Sequence, residues 1–136
     1  MIRAAFFILN LILVAHAGSK EEPPIGVTVE QLFELMRSED VTLIDVREPW
    51  ELSVMGKIAG STNIQGWKLK YALSLSSGEF KKRYGISLPA KNDCNLIFHC
   101  ATGGRSLKAV TLARQMGWYC SRHLLGGFKA WKEYFE

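Results

Sequence analysis

The sequence contains few of the residues that build metal centres. Three cysteines and three histidines occur among its 136 residues. Cys94 and Cys120 lie far from Cys100 along the chain, and His99 is the one histidine beside it, so no typical metal-ligand spacing is present. The sequence therefore gives no reason to expect a metal ion or an organic cofactor.

A concentrated basic stripe is missing too. The 17 lysines and arginines outnumber the 13 acidic residues and give a net charge of +4, but they are spread along the chain and mixed with acids. No nucleic-acid partner is expected from such a distribution. Internal repeats and low-complexity segments are absent, and 48% hydrophobic with 22% charged residues is typical of one globular domain at this length.

Acidic residues are absent from the first 17 positions. Arg3 precedes an apolar run from Ala4 to Val14, and Ala15-His16-Ala17 follows. This order predicts a secretory signal peptide over residues 1–17, and hence a secretory or extracellular location. The run is too short to span a membrane. A mitochondrial presequence is the alternative, although it would usually carry more arginine and serine.

Residues 18–26 are predicted to be a flexible lead-in and residues 27–136 a single domain, with no membrane association once the leader is removed. Strands are predicted for the apolar, β-branched segments VTLIDV, STNI, CNLIFH and RHLL. Helices are predicted for VEQLFELMRS, PWELSVM, GWKLKYALSL, SGEFKKRYG, SLKAVTLARQMG and FKAWKEYF. This alternation predicts an α/β fold with a central parallel sheet and helices on both faces.

Two of these helices carry more specific signals. Thr28 and Gln31 have the spacing of a capping box, so the first helix is expected from about Val29 to Ser38. In SLKAVTLARQMG, four apolar residues spaced by three are expected to face inward: Leu107, Val110, Ala113 and Met116.

The segment NLIFHCATGGRS places Cys100 directly after a predicted buried strand. Sites in parallel sheets form at the carboxyl ends of strands. The glycine pair after Cys100 lets successive N–H groups converge, and a helix beginning near Ser106 adds its partial positive charge. These groups and Arg105 favour the thiolate, which is the nucleophilic form of cysteine. Cys100 is therefore the candidate nucleophile.

His99 precedes Cys100 and suggests a cysteine–histidine pair. Adjacent strand residues point to opposite faces of a sheet, so the imidazole is expected to face away from the thiol. We interpret His99 as a core histidine, with a general base as the alternative.

Three segments resemble the rhodanese family of sulfurtransferases. HCATGGRS is similar to its active-site loop, which reads C-x-x-G-x-R in single-domain members; LIDVREPWELSVMGKIAGSTNI resembles its N-terminal signature and LLGGFKAW its C-terminal one. The resemblance implies a rhodanese-like single domain with a five-stranded parallel sheet. It also implies a thiosulfate sulfurtransferase, in which Cys100 takes a sulfane sulfur from thiosulfate or a related donor, forms a persulfide and passes the sulfur to cyanide or a thiol.

The resemblance also implies roles for the loop residues. The outer sulfur of the Cys100 persulfide is implied to be held by backbone amides of five loop residues: Ala101, Thr102, Gly103, Gly104 and Arg105. Arg105 is further implied to hold an anionic donor. Ala101 and Thr102 replace the charged or polar residues common in the family, which leaves the preferred donor open.

Residues of the first signature are interpreted as structural. Asp45 is expected to cap the turn that follows its strand, and Arg47 to pair with Glu51 four residues on. A role for Arg47 near the pocket is the alternative. Trp67 is expected either to line the pocket or to pack as an ordinary aromatic.

Two other function classes stay open. A cysteine phosphatase of the same fold would also use an H-C loop ending in arginine, but those enzymes have five residues between cysteine and arginine, whereas four separate Cys100 from Arg105. No carboxylic acid follows in the loop to protonate a leaving group. A non-catalytic binding module is the other alternative, and the presence of the cysteine argues against it.

The two remaining cysteines precede strands that lie side by side in the rhodanese fold. Cys94 is the first residue of CNLIFH, and Cys120 lies shortly before RHLL. The resemblance therefore places both cysteines at the end of the sheet opposite Cys100. Strand spacing is compatible with a disulfide between them in an oxidising compartment. Two buried thiols are the alternative.

Overall fold

The computed structural model describes residues 23–136. Its strands form one parallel sheet in the order β1-β5-β4-β2-β3. They are β1 (Gly26–Val27), β2 (Thr42–Asp45), β3 (Thr62–Asn63), β4 (Leu96–His99) and β5 (Arg122–Leu124). The predicted α/β fold with a five-stranded parallel sheet is confirmed. The predicted leader, residues 1–17, lies outside the described residues.

Within residues 23–136, six α-helices connect and cover the strands. They are α1 (Val29–Ser38), α2 (Pro49–Met55), α3 (Leu69–Leu73), α4 (Ser77–Tyr84), α5 (Gly104–Gln115) and α6 (Gly127–Phe135), with a 3₁₀ turn at Gly66–Lys68 before α3. In the part of the chain that is described, no helix has the length and apolar character needed to cross a membrane.

The first helix has the predicted bounds because its capping box forms. The amide of Gln31 donates to the Thr28 hydroxyl at 3.1 Å, and the Thr28 amide donates to the Gln31 side chain at 2.9 Å. Two N–H groups that no helical carbonyl can reach are satisfied in this way. The start of α1 is thereby fixed directly after β1.

Helices lie on both faces of the sheet, as predicted. Alternate residues of the central strands point to opposite faces. Ile44 and Phe98 pack against α3, α4 and α5, whereas Leu43 and Ile97 pack against α1 and α6. All four side chains are at most 3% exposed. The sheet is therefore buried on both faces, and access is left at its edges and at the ends of its strands.

Helix α5 differs from the prediction in its start and in one of the four residues expected to face inward, Leu107, whereas Val110 and Ala113 are buried and Met116 packs against the same core. It begins at Gly104 rather than near Ser106, and Leu107 is 44% exposed. Positions spaced strictly by three residues drift by about 60° per step around a helix, so they cannot all share one face. The buried face instead follows three- and four-residue spacing, through Ser106, Ala109, Val110 and Ala113.

A disulfide joins Cys94 to Cys120, with 4.6 Å between the Cα atoms. The two residues precede β4 and β5, and the guanidinium of Arg122 also donates to the Cys94 carbonyl at 2.7 and 2.9 Å. The predicted disulfide is therefore confirmed, and the alternative of two buried thiols is wrong. Cys100 is left as the free cysteine, at the opposite end of β4.

Candidate active site

Cys100 begins a tight loop between β4 and α5. Its Sγ accepts hydrogen bonds from the amides of Gly103 at 3.1 Å and Ser106 at 3.3 Å, and lies 3.5 Å from the Ser106 hydroxyl. Gly103 has a φ of +113°, a conformation that side-chain-bearing residues rarely adopt. This turn aims the first amides of α5 back at the sulfur.

The environment of Cys100 stabilises its thiolate. Burial alone raises the pKa of the thiol, because it penalises the charged form. Hydrogen bonds from the Ser106 hydroxyl and from the amides of Ser106, Gly103 and Thr102 act the other way, and the net result is a pKa below the usual value. The predicted convergence of amides on Cys100 is thus seen, and it favours a nucleophilic sulfur.

The loop is held from the other side by the start of α6. The amide of Phe128 donates to the Cys100 carbonyl at 2.8 Å, and that of Lys129 to the Ala101 carbonyl at 3.0 Å. A Cβ at Gly127 would lie 2.6 Å from the Cys100 carbonyl oxygen. Gly127, the second glycine of LLGGFKAW, therefore allows two backbones to touch, a role that its sequence position did not reveal.

Arg105 is paired with Glu51 of α2. Its two terminal nitrogens donate to the two carboxylate oxygens at 2.7 Å each. The hydrogen bond from Arg105, outweighing burial, lowers the pKa of Glu51 to about 2. The expected pair between Arg47 and Glu51 is therefore wrong, because the loop arginine takes the carboxylate.

Arg47 instead binds Asp45 in a fully buried cluster. The Arg47 guanidinium donates to both Asp45 oxygens at 2.8 to 3.2 Å and to the Gly56 carbonyl at 2.9 Å, and it stacks over the Phe128 ring at 4.5 Å. The Arg47 amide donates to Asp45 Oδ1 at 3.0 Å, which is the predicted cap of the turn after β2.

His99 faces this cluster and not the thiol. Its Nε2 lies 3.6 Å from Asp45 Oδ2, and the ring is fully buried on the face of β4 opposite Cys100. Burial, partly offset by Asp45, lowers the pKa of His99 to about 4. The geometry agrees with the interpretation of His99 as a core histidine.

Ser106 and His123 were not identified as site residues from the sequence. Ser106 contacts Cys100, and its hydroxyl lies 2.9 Å from Nδ1 of His123 on β5. In the sheet, His123 is the register partner of Phe98, two residues before Cys100. Strand periodicity therefore puts His123 and Cys100 on one face, but that signal needs the register, which the sequence alone does not provide.

Two grooves flank the loop. The first, about 290 Å³, is lined by Val46, Glu48, Gly66, Trp67, Arg105, Lys108, Ala109 and Leu112. The second, about 470 Å³, is bordered by Arg47 and by residues of α2, of the loop and of α6: Val54, Met55, Ala101, Thr102, Phe128, Lys129, Lys132, Glu133 and Glu136. Trp67 lines the first groove and is 72% exposed, so it does not pack in the core as an ordinary aromatic residue. We call these the Trp67 groove and the Thr102 groove. Within residues 23–136, no cluster of three metal-ligating side chains occurs.

A buried cysteine with a stabilised thiolate, at the carboxyl end of a parallel strand, defines an α/β protein whose candidate site is this cysteine loop. The sequence profile of the Rhodanese-like domain family matches residues 28–134. The chain therefore belongs to the rhodanese-like domain family, and the resemblance predicted from its three signatures is confirmed.

Relatives with assigned activities are similar over most of the chain. Thiosulfate sulfurtransferase/rhodanese-like domain-containing protein 3 of Mus musculus is 40% identical over 111 residues, which cover 82% of this chain and 70% of the relative. Thiosulfate:glutathione sulfurtransferase of Homo sapiens is 34% identical over 107 residues, 79% of this chain and 92% of the relative. Some relatives are mitochondrial, among them a thiosulfate sulfurtransferase of Saccharomyces cerevisiae.

Solved structures agree with the fold. A human single-domain sulfurtransferase superposes with a TM-score of 0.77 at 33% sequence identity, covering 81% of this chain and 96% of that one. The match spans nearly the whole of that protein, so its single domain corresponds to the rhodanese-like domain of this chain.

Proposed function

We propose that this chain is a single-domain sulfurtransferase that carries sulfur on Cys100. The observation that supports this most is the geometry at the sulfur, where three backbone amides and a hydroxyl stabilise a buried thiolate. The names of the relatives point to the same chemistry. Thiosulfate or a related compound is the proposed donor, and cyanide or a small thiol the acceptor.

The proposed reaction has two displacements at sulfur. The Cys100 thiolate attacks the outer sulfur of thiosulfate, the sulfur–sulfur bond of the donor breaks, and sulfite leaves with the electron pair. The acceptor, as cyanide or thiolate, then attacks the outer sulfur of the persulfide and releases the Cys100 thiolate. Neither step consumes an oxidant or a reductant.

The loop is proposed to hold the outer persulfide sulfur through backbone amides. The amides of Gly103 and Ser106 already donate to Cys100 Sγ. Gly104 and Arg105 open α5, where N–H groups have no helical acceptor, and the helix end carries partial positive charge. With Ala101 and Thr102, which begin the loop, they complete the proposed cradle.

The two grooves suit the two substrates. Arg105 and Lys108 border the Trp67 groove, so we assign the anionic donor to it. Glu51 offsets much of the Arg105 charge, and Glu48 also borders the groove beside Lys108. The Thr102 groove has a mixed border, since Lys129 and Lys132 line it together with Glu133 and Glu136, and Lys132 lies 3.9 Å from Glu136. A small thiol that carries both charges, such as the glutathione in one relative's name, is the proposed occupant of that groove.

Release of thiocyanate from thiosulfate and cyanide tests the proposal. The purified protein is expected to turn over, and Cys100→Ser to be inactive. The double variant Cys94→Ser with Cys120→Ser is the matched control, and it should retain activity because the disulfide lies at the other end of β4. Hydrolysis of p-nitrophenyl phosphate without thiocyanate release would favour the phosphatase alternative. Neither activity, with Cys100 intact, would favour a binding module.

The location of the protein is also a proposal. A secretory route is supported by the leader pattern of residues 1–17 and by the disulfide, which forms in oxidising compartments. The mitochondrial relatives support the alternative. Expression of the full chain with a C-terminal tag distinguishes them. Secretion into the medium with a new N-terminus near Gly18 is the expected result, and co-purification with mitochondria would contradict it.

A further inference from the structure

We propose that His123 is a positioning residue that sets the protonation of Cys100 through the Ser106 hydroxyl, forming a cysteine–serine–histidine relay. The inference deepens the proposed function, since it takes Cys100 as the nucleophile. Cys100 and Ser106 lie in the loop signature HCATGGRS, whereas His123 lies outside all three signatures on which the family resemblance rests.

The three side chains form an unbroken chain of contacts. Cys100 Sγ lies 3.5 Å from Ser106 Oγ, and Ser106 Oγ lies 2.9 Å from His123 Nδ1. All three residues are at most 5% exposed. In such a site hydrogen bonds are poorly replaced by water, so the partner of each group determines its protonation.

The fold holds each member in place. His123 is tied into the sheet, because its amide donates to the Ile25 carbonyl at 2.9 Å and β5 pairs with β1 and β4. Ser106 lies in the first turn of α5 and also contacts the Gly103 carbonyl at 3.1 Å. The sheet and the first turn of α5 therefore hold the imidazole and the hydroxyl at a separation of 2.9 Å.

The proton balance of the relay is simple. With Cys100 protonated, the thiol donates to Ser106 Oγ and the hydroxyl donates to Nδ1 of a neutral imidazole. On transfer, the S–H bond breaks and the proton joins Ser106 Oγ, while the original hydroxyl proton moves to Nδ1. The thiolate then accepts a hydrogen bond from Ser106, whose oxygen accepts one from Nδ1–H of His123.

Burial lowers the pKa of His123, which keeps the ring neutral before transfer but also makes it a weaker base, so protonation of Nδ1 depends on the negative charge of the thiolate that forms beside it. Charged groups on the surrounding elements have other partners. Arg105 is bound to Glu51, Arg114 to the carbonyls of Ser121 and Pro23, and Arg122 to the carbonyl of Cys94. Ser106 is the hydrogen-bond partner that links the imidazole to the site.

The rate of Cys100 alkylation by iodoacetamide, measured against pH, tests the relay. The other two cysteines of the chain are in the disulfide, so the label reports Cys100 alone, and mass spectrometry confirms a single adduct. His123→Asn, His123→Phe and Ser106→Ala are each expected to slow alkylation at pH 7 by about tenfold and to move the pH profile upward. His99→Asn is the matched control, a buried histidine on the opposite face, and it should alkylate like the wild type.

The double variant Ser106→Ala with His123→Asn separates a relay from two independent effects. Residues that act as one unit are non-additive, so the double variant should be no slower than Ser106→Ala alone. Additive losses, or a His123→Asn protein that alkylates at the wild-type rate, would overturn the proposal. Near-wild-type unfolding midpoints establish that the variants are folded. The alkylation assay needs no sulfur donor, so it tests the relay independently of sulfur transfer. Either proposal can therefore be contradicted while the other is supported.

Discussion

Arg105 and Glu51, 54 positions apart, are joined by two parallel hydrogen bonds of 2.7 Å. The pair connects the first turn of α5 to α2, and so connects the cysteine loop to the segment that follows β2. The Glu51 side chain is 8% exposed and the Arg105 side chain 43% exposed, so the pair is shielded from solvent on the carboxylate side only. We infer that it keeps the loop closed around Cys100.

Glu51→Gln is expected to lower the free energy of unfolding by about 1 to 3 kcal/mol at pH 7, because it removes a bidentate charge-assisted pair. The pKa of Glu51 falls from 4.5 to about 2 on folding, so its contribution is complete above pH 4.5 and is lost as the pH falls towards 2. Urea unfolding at pH 7 and pH 3 measures both effects. Glu34→Gln is the control, since its pair with Arg37 is more than 60% exposed on both sides and should contribute little.

Gly127→Ala is expected to disturb the cysteine loop. The new Cβ would lie 2.6 to 2.7 Å from the backbone of Cys100 and Ala101, so one of the two segments must move. Gly85→Ala is the matched control. Gly85 also has a positive φ, +74° against +63° at Gly127, but nothing lies within 4 Å of its Cβ position.

Both alanine variants should lose about 1 kcal/mol of stability to the backbone conformation. The Gly127 variant should lose more than that, together with most of its thiocyanate-forming activity, whereas the Gly85 variant should keep its activity. Equal activity in the two variants would show that the contact with α6 does not hold the loop.

His99 is expected to make the protein less stable in mildly acidic solution. Its pKa falls from 6.5 in the unfolded chain to about 4 in the folded one, mainly through burial. Between pH 6.5 and 4 the unfolded chain therefore binds a proton that the folded protein does not, and stability falls as the pH falls. His99→Gln should make the free energy of unfolding less dependent on pH over this window. His123 contributes to both proteins alike, so it does not affect the comparison. Parallel pH profiles would contradict the assignment.

Much of the fold could be predicted from local signals. The capping box at Thr28 and Gln31 predicted the start of α1, the helical spacing of the apolar residues after it predicted its extent, and apolar, β-branched runs predicted β2 and β4. Strand β1 has only two residues, Gly26 and Val27, and exists because it pairs with β5. No pattern within two residues can indicate such a strand, because its stability comes from its partner.

The candidate site likewise combines residues that the local sequence predicts with residues that only the fold brings together. Cys100 and its amide-rich turn are contiguous in sequence, so NLIFHCATGGRS was sufficient to predict them. Glu51 and His123 reach the site from 54 and 17 positions away from the residues they bind, Arg105 and Ser106. Sequence spacing suggested the nearer partner for Arg47, at four residues, but the tertiary fold provides Asp45 for it and Arg105 for Glu51.

Reduction of the disulfide is expected to lower stability without removing activity. Cys94 and Cys120 close a loop with a sequence separation of 26, and a cross-link of that size stabilises by roughly 3 to 4 kcal/mol in the chain-entropy account. Urea unfolding of the Cys94→Ser, Cys120→Ser protein against the wild type measures this difference. An unchanged midpoint would mean that the disulfide does not constrain the unfolded chain.

The intact mass of the protein after incubation with thiosulfate tests the central claim most directly. A gain of about 32 Da, one sulfur atom, is expected on the wild type, lost again on addition of cyanide and absent from Cys100→Ser. The disulfide keeps the other two cysteines out of this reaction. No gain from thiosulfate or other sulfane donors, in a protein whose Cys100 still alkylates, would contradict sulfur transfer through this residue.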